Sequence, residues 1–241
     1  MRAVFISNLK ELLQESVEKI VISDKNRLHH LIKVIRIKKD EKVLILDGKG
    51  LTVVSKVCEI EKKLLTFNIE ESLQKDFAPY KITLAVGLAK KTAMEEVLRL
   101  VSEVGIQRVI PFSSDFSQKT FLSEERIKRI LESSIVQSNN PYLPQVDKIV
   151  EFKELSELVK EFDTTIFFTS SDAEALQHKN LNLCENDNLL IVIGPEGGFS
   201  KEEEGVVTSF SNLKMVNLPI YIMRVPVAIP AAVGYILGKI S

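Results

Sequence analysis

Leu189-Leu190-Ile191-Val192-Ile193-Gly194-Pro195-Glu196-Gly197-Gly198-Phe199-Ser200-Lys201-Glu202-Glu203-Glu204-Gly205 is the stretch that decides the fold. Leu189 to Ile193 is a continuous apolar, β-branched run, the pattern of a strand buried on both faces. Gly194, Pro195, Gly197 and Gly198 then break the chain. Ser200 reads as a helix N-cap, with Glu203 where the third helical residue of a capping box belongs. Buried strand, glycine-rich turn and helix start follow one another within seventeen residues. Such a turn leaves backbone N–H and C=O groups bare at a strand end, open to a ligand. It lacks the Lys-Ser/Thr ending of a phosphate-cradling loop and the Gly-x-Gly-x-x-Gly spacing of a dinucleotide site. Glu196 would also repel a phosphate. The turn therefore suits a neutral or cationic ligand. The same spacing equally fits a plain tight turn between strand and helix.

Outward from this stretch, the chain of 241 residues has room for one large domain or two modest ones. Its 45% hydrophobic and 27% charged residues are those of an ordinary globular protein. No apolar run reaches the ~20 residues of a membrane span, and Met1 to Phe5 lacks the layout of a secretory signal. Cys58 and Cys184 have neither disulfide-scaffold numbers nor metal-ligand spacing, so a cytoplasmic setting without a metal site is expected. The net charge of −1 announces no global attraction to nucleic acid. Locally, Lys25, Arg27, Lys33, Arg36, Lys38 and Lys39 gather with His29 and His30 before the next acid, Asp40, which fits either a solvated face or an RNA contact.

Residues 1 to about 72 read as a compact, mostly β unit. Val4–Ile6, Lys19–Ile22, Glu41–Asp47, Leu51–Glu59 and Leu64–Glu70 are strands, with a hairpin turn at Gly48-Lys49-Gly50. Asp24 caps a short helix that turns Leu28, Leu31, Ile32 and Ile35 inward. This many short strands favours a small barrel. Residues 74–80 read as a linker, and strands then alternate with helices, the grammar of an α/β domain with a largely parallel sheet. Strands are expected at Ile82–Leu88, Arg108–Phe112, Thr164–Thr169 and Met215–Leu218. A helix should start from a Thr92/Glu95 capping box and end at Gly105, a second should be capped by Ser123, and a third should cover Phe152–Phe162. Pro219–Val227 reads as irregular, and Ala228–Ile240 as a helix whose small residues permit close packing in a crowded fold or at a subunit interface.

Gly194-Pro195-Glu196-Gly197-Gly198-Phe199-Ser200 resembles the signature of the RsmE family of RNA methyltransferases, which belongs to the SPOUT class. His29-His30-Leu31-Ile32-Lys33-Val34-Ile35-Arg36 and Asp47-Gly48-Lys49-Gly50 resemble two further family stretches, in the same order. The resemblance implies a PUA-like RNA-binding β-barrel over residues 1–73, a linker over 74–80, and a SPOUT α/β methyltransferase domain with a trefoil knot over 81–241. It implies transfer of a methyl group from S-adenosyl-L-methionine to N3 of one uridine in 16S rRNA of the small ribosomal subunit, by a homodimer. Carried over by position, Thr169, Gly194, Pro195, Glu196, Gly197, Gly198, Leu218, Ile222, Met223 and Arg224 would hold the donor. Arg2, His30, Lys33, Arg36 and Lys90 would contact RNA, and Arg224 or Glu196 would act in catalysis. One of the two histidines would serve as a core residue satisfied by backbone.

The chain departs from the pattern at three places. Phe116 and Asn140 stand where the family usually has arginine, and Val225-Pro226-Val227 replaces Thr-Glu-Thr. These departures leave open a SPOUT enzyme acting on a different RNA position, or an RNA-binding homologue with impaired catalysis. A generic nucleotide binder is disfavoured because the phosphate fingerprints are missing.

Overall fold

The computed structural model describes residues 1–16, 18–76, 80–168, 181, 183–184, 186–218 and 221–240. The chain divides into two compact units. One comprises Met1–Phe77 with Ile135–Leu143, and the other Ala78–Ser134 with Pro144–Ser241.

The first unit is a five-stranded sheet of β1 (Arg2–Phe5), β2 (Lys19–Ile22), β3 (Lys42–Leu46), β4 (Leu51–Ile60) and β5 (Leu65–Gln74), hydrogen-bonded in the order β1-β3-β4-β5-β2. Only the β1–β3 pair is parallel. Two bulges in the β4–β5 ladder, at Val54/Ser55 and Val57/Glu59, bend the long hairpin. Alternate residues of these strands, among them Val4, Ile20, Ile45, Val57 and Phe67, form one buried core. Helix α1 (Leu9–Glu15), which the sequence reading missed, adds Leu9 to that core. Asp24 caps α2 (Lys25–His29) by accepting from the Arg27 N–H at 2.8 Å, and the chain continues as a wider π turn over His30–Val34. Leu28 and Leu31 are buried, with Ile32 and Ile35 packed beside them. The β3–β4 hairpin turns at Gly48 and Gly50, whose φ values of 76° and 98° lie in the left-handed region that favours glycine. Asp47 pins the turn by accepting from the N–H groups of Lys49 and Leu51.

In the second unit β6 (Lys81–Gly87), β7 (Arg108–Ser113), β8 (Gln145–Val146), β9 (Val150–Glu151), β10 (Thr164–Phe168), β11 (Asn188–Ile193) and β12 (Leu213–Val216) form a parallel sheet. The order is β12-β10-β11-β6-β7-β8, with β9 also on β7. Leu189 to Ile193 are all buried in its middle, as their unbroken apolar run requires. Among the described residues three α-helices accompany these strands before the glycine turn: α3 (Lys91–Glu103), α4 (Glu124–Ser138) and the single turn α5 (Leu155–Leu158). Beyond the turn come α6 (Lys201–Thr208) and α7 (Val225–Leu237).

Four local expectations need correction. Helix α3 begins at Lys91 with Lys90 as N-cap and no side-chain cap, so Thr92 lies inside the first turn. Glu95 is drawn away instead to Arg126. The helix expected over Phe152–Phe162 is three single turns, two of them 3₁₀. The last strand is Leu213–Val216 rather than Met215–Leu218. Helix α7 starts at Val225, three residues before the expected Ala228, because a proline in the first helical turn costs no hydrogen bond.

Candidate active site

The C-terminal ends of the adjacent strands β12, β10 and β11 open into a cavity of about 910 Å³. This is the edge at which parallel sheets bind ligands. Phe167 and Phe168 of β10 and Ile193 of β11 line its floor. Gly194 to Phe199 forms one wall, and Asn217, Leu218, Tyr221, Ile222 and Met223 another, with Val225 and Ala228 closing behind.

The glycine turn is held from several sides. The Gly198 N–H donates to the Pro195 carbonyl at 3.0 Å, closing a four-residue turn. Ser200 caps α6, its hydroxyl accepting from the Glu203 N–H at 3.3 Å while the Glu203 carboxylate accepts from the Ser200 N–H at 2.9 Å. The capping box read from the sequence is therefore present. Glu203 is only 6% exposed. Phe199 anchors the turn in an aromatic cluster, its ring centroid 5.1 Å from Phe167, 5.5 Å from Phe152 and 6.1 Å from Phe112. Offset and tilted rings at these separations attract beyond the area they bury. Pro195 sits so close to the end of β6 that a Cβ on Gly87 would lie 2.5 Å from its ring. A Cβ on Gly197 would lie 2.7 Å from that of Phe116, so this part of the turn must present backbone alone.

Two carboxylates, Glu196 and Glu204, belong to the lining, and among the described residues no lysine, arginine or histidine does. The rest of the lining is apolar side chain and bare backbone, with the uncharged polar side chains of Asn217 and Tyr221. Such a lining favours a cationic or neutral ligand and opposes a phosphate.

Most of the expected donor-binding residues meet here: Gly194, Pro195, Glu196, Gly197, Gly198, Leu218, Ile222 and Met223 all line the cavity. Thr169 lies outside the described residues. Arg224 is not in the lining; it is the exposed N-cap of α7, between the lining residues Met223 and Val225, and its side chain has no hydrogen bond or ion pair among the described residues. Of the Val225-Pro226-Val227 departure, Val225 and Pro226 are buried and Val227 is exposed. The first two therefore supply packing at the start of α7. Phe167, Phe168 and Tyr221 were not foreseen; the strand pattern placed the first two inside the sheet but could not show that they end at a cavity.

The expected RNA-contacting residues divide between the units. In the first, His30, Lys33 and Arg36 are exposed on or beside the π turn, with His29 exposed as well, so neither histidine is a core residue. Arg36 holds a φ of 60°, a left-handed conformation that costs a non-glycine residue energy. Arg2 donates to the Ile35 carbonyl at 2.6 Å and pairs with Glu41 at 3.2 Å, so it braces the turn and part of its charge is neutralised. Lys90 is exposed in the second unit. Among the described residues no cluster of three or more His, Cys, Asp or Glu side chains could hold a metal, and no helix is long and apolar enough to cross a membrane.

Comparison with known proteins agrees with this arrangement. A family described as RNA methyltransferase domain matches residues 77–237, and one described as RNA methyltransferase PUA domain matches residues 22–70. Ribosomal RNA small subunit methyltransferase E of Aquifex aeolicus is 31% identical over 215 residues, covering 86% of this chain and 89% of the relative. Its namesake in Rickettsia conorii is 22% identical over 221 residues, covering 90% and 89%. Among solved structures, Ribosomal RNA small subunit methyltransferase E from Neisseria gonorrhoeae, bound to S-adenosyl methionine, superposes with a TM-score of 0.81 at 22% identity, covering 99% of this chain and 97% of that one. A probable rRNA-methyltransferase from Porphyromonas gingivalis gives a TM-score of 0.81 at 18% identity, covering 99% and 98%. With its α/β domain, its PUA-like partner unit and its glycine turn at the sheet edge, the chain belongs to the ribosomal RNA small subunit methyltransferase E family of RNA methyltransferases.

Proposed function

We propose that this protein methylates N3 of one uridine in 16S rRNA of the small ribosomal subunit, with S-adenosyl-L-methionine as donor. The observation that carries the donor is the lining of the sheet-edge cavity: mostly backbone and apolar walls, two carboxylates and, among the described residues, no basic side chain. A sulfonium fits that charge balance, and a nucleotide phosphate does not. The residues that would hold it are the Gly194–Gly198 turn, Leu218, Ile222 and Met223, which shape the cavity around it. Bound there, S-adenosylmethionine supplies a methyl group that is already activated, so the reaction needs no metal.

The protein's own task is to place a uracil against that group with nucleophile and leaving atom in line. It must take the base out of its stack and stabilise the anion formed when the imide loses its proton. Arg224, next to the lining in sequence and without a partner for its guanidinium among the described residues, would neutralise that anion. Glu196, exposed on the cavity wall within the glycine turn, is one of the two lining carboxylates and the one that would take up the proton. Exposed His30, Lys33 and Arg36 of the PUA-like unit, with Arg2 beside them, supply a sequence-independent grip on RNA phosphates, and Lys90 adds a contact from the other unit.

The methyltransferase unit is proposed to carry the class's trefoil knot and to pair as a homodimer. Packing of α7 back onto α3 and β11, after β12 has run along the sheet edge, supports the first. Exposure of Ile222, Val227 and Leu237 on and beside α7 supports the second. The assay that tests the function compares the nucleosides of 16S rRNA from cells with and without the protein. Loss of a single 3-methyluridine is the expected result. An unchanged set of methylated nucleosides would refute the reading, and loss of a different methylated base would redirect it.

A further inference from the structure

Among the described phenylalanines and tyrosines only two side chains are exposed: one lines the cavity, and the other packs beside the glycine turn that forms one of its walls. Tyr221 is 96% exposed and part of the lining, while Phe116 is 55% exposed and packed on Gly197 of the glycine turn. Every other described phenylalanine and tyrosine is at least half covered by the fold, and Phe199, in the same turn, is held by three rings. An aromatic ring left in water gives up the stabilisation that burial would bring. One ring in the cavity lining and one against its glycine wall have an occupant of matching chemistry, a flat nucleobase. An unstacked base is received by stacking on aromatic faces, which is tolerant of sequence and large enough to compensate for the stacking the base leaves behind.

We infer that Phe116 and Tyr221 form the stacking platform that receives the extruded pyrimidine beside the donor cavity. The inference rests on the RNA methyltransferase reading and adds the residues that recognise the base itself. Phe116 also stands where the family resemblance expects an arginine, so at this rim a ring replaces a phosphate-seeking charge. These are substrate-positioning residues: they act on the base and leave donor binding to the glycine turn.

The chain contains no tryptophan, so Phe116→Trp introduces one reporter whose ring keeps the proposed stacking. Single-stranded oligouridylate should quench its fluorescence, whereas an abasic strand of the same length should not. Tyr221→Ala in the Phe116→Trp background should weaken oligouridylate binding roughly tenfold. Equal quenching by both strands, or none, would overturn the proposal, and because this readout needs no turnover it stands apart from the identity of the methylated nucleotide. On small ribosomal subunits, Phe116→Ala should raise KM for RNA by about 5- to 100-fold. Phe116→Trp should restore KM, and donor affinity by calorimetry should stay unchanged. If Phe116→Ala and Tyr221→Ala instead shift the monomer–dimer balance in sedimentation and leave KM for RNA alone, the rings belong to a subunit contact and the inference is wrong.

Discussion

The Asp115 backbone N–H donates to the Glu203 carboxylate at 2.9 Å, joining the loop after β7 to the first turn of α6 across 88 positions of sequence. The same buried carboxylate closes the capping box with Ser200. One side chain thus fixes both the helix that follows the glycine turn and the loop that carries Phe116. Glu203→Ala would remove the acceptor of two part-buried backbone donors, those of Asp115 and Ser200, and one half of the capping box, at a cost of about 1–3 kcal/mol. Glu203→Gln keeps an acceptor oxygen for one of the two and should lose about half as much. Urea midpoints of the two variants test this; a loss below about 0.5 kcal/mol for Glu203→Ala would show that water replaces the carboxylate.

Gly87→Ala addresses the far side of the same turn. The new methyl group would sit 2.5 Å from both the ring and the nitrogen of Pro195, where neither neighbour is a flexible side-chain end. The strand is pinned in the sheet, so the turn should move. Overpacking of this kind costs about 1–3 kcal/mol, and donor affinity should fall at least tenfold. Calorimetric titration with S-adenosylmethionine, alongside a thermal melt, separates the two effects. Unaltered donor affinity would show that the turn is not part of the donor site.

Arg224→Ala tests charge stabilisation at the base. In a single-turnover assay at saturating donor, the methyl-transfer rate should fall by about 10²- to 10³-fold while donor affinity holds. Arg224→Lys should recover part of the rate, since a point charge replaces the planar fork. An unchanged rate in Arg224→Ala would remove this residue from the chemistry.

Sequence reading succeeded where a local pattern is enforced by the fold and failed where a distant group competes for the same residue. Leu189–Ile193 is buried throughout because only a central strand tolerates such a run. Ser200 and Glu203 form their box because Ser200 has extended backbone, φ −73° and ψ 164°, immediately before the helix. Thr92 and Glu95 show an equivalent pair at the same spacing, yet the helix begins two residues earlier than a Thr92 cap would set it, and Arg126 claims Glu95. The start of α7 was legible in Pro226, a first-turn proline, which the reading of Pro219–Val227 as irregular passed over. The two-residue strands β8 and β9 carry too few residues for any periodicity. Within the site, backbone-presenting glycines announced themselves. The rings that floor and flank the cavity did not, since a phenylalanine in a strand has the same sequence signal whether it ends in a core or at a cavity wall.

The Glu95–Arg126 pair should give stability a pH dependence. Arg126 donates to both carboxylate oxygens, at 2.8 and 2.7 Å, and Arg99 adds a third contact at 3.2 Å. Hydrogen bonding to Arg126 holds the Glu95 carboxyl below its ordinary range. Because the folded-state value is depressed, the contribution is fully present above the ordinary glutamate pKa of about 4.3 and is lost as pH falls through the lower folded value. Glu95→Gln should therefore destabilise at neutral pH and become nearly neutral once the pH is below the depressed folded value. The difference should also shrink in high salt, since the pair is solvent-facing. A wild-type minus Glu95→Gln difference in urea midpoint that does not vary with pH would show that the ion pair contributes nothing.

Arg36 separates stability from RNA binding by the sign of its effect. Its φ of 60° places an L-residue where glycine is at ease, and its exposed side chain has no ion pair among the described residues. Arg36→Gly relieves the strain, which is worth about 1 kcal/mol, against a comparable entropic cost of glycine in the unfolded chain. Folding stability should therefore be unchanged or slightly higher. If the guanidinium neutralises an RNA phosphate, the same variant should bind RNA more weakly, with a salt slope reduced by about one. Lys33→Ala should reduce the slope similarly without the gain in backbone freedom. A fold that keeps a residue in a costly conformation while leaving its charge unpaired has reason to do so only if something outside the fold uses that charge. Filter binding across a salt series decides the matter: parallel lines for wild type and Arg36→Gly would mean that the strained arginine does not meet the RNA backbone.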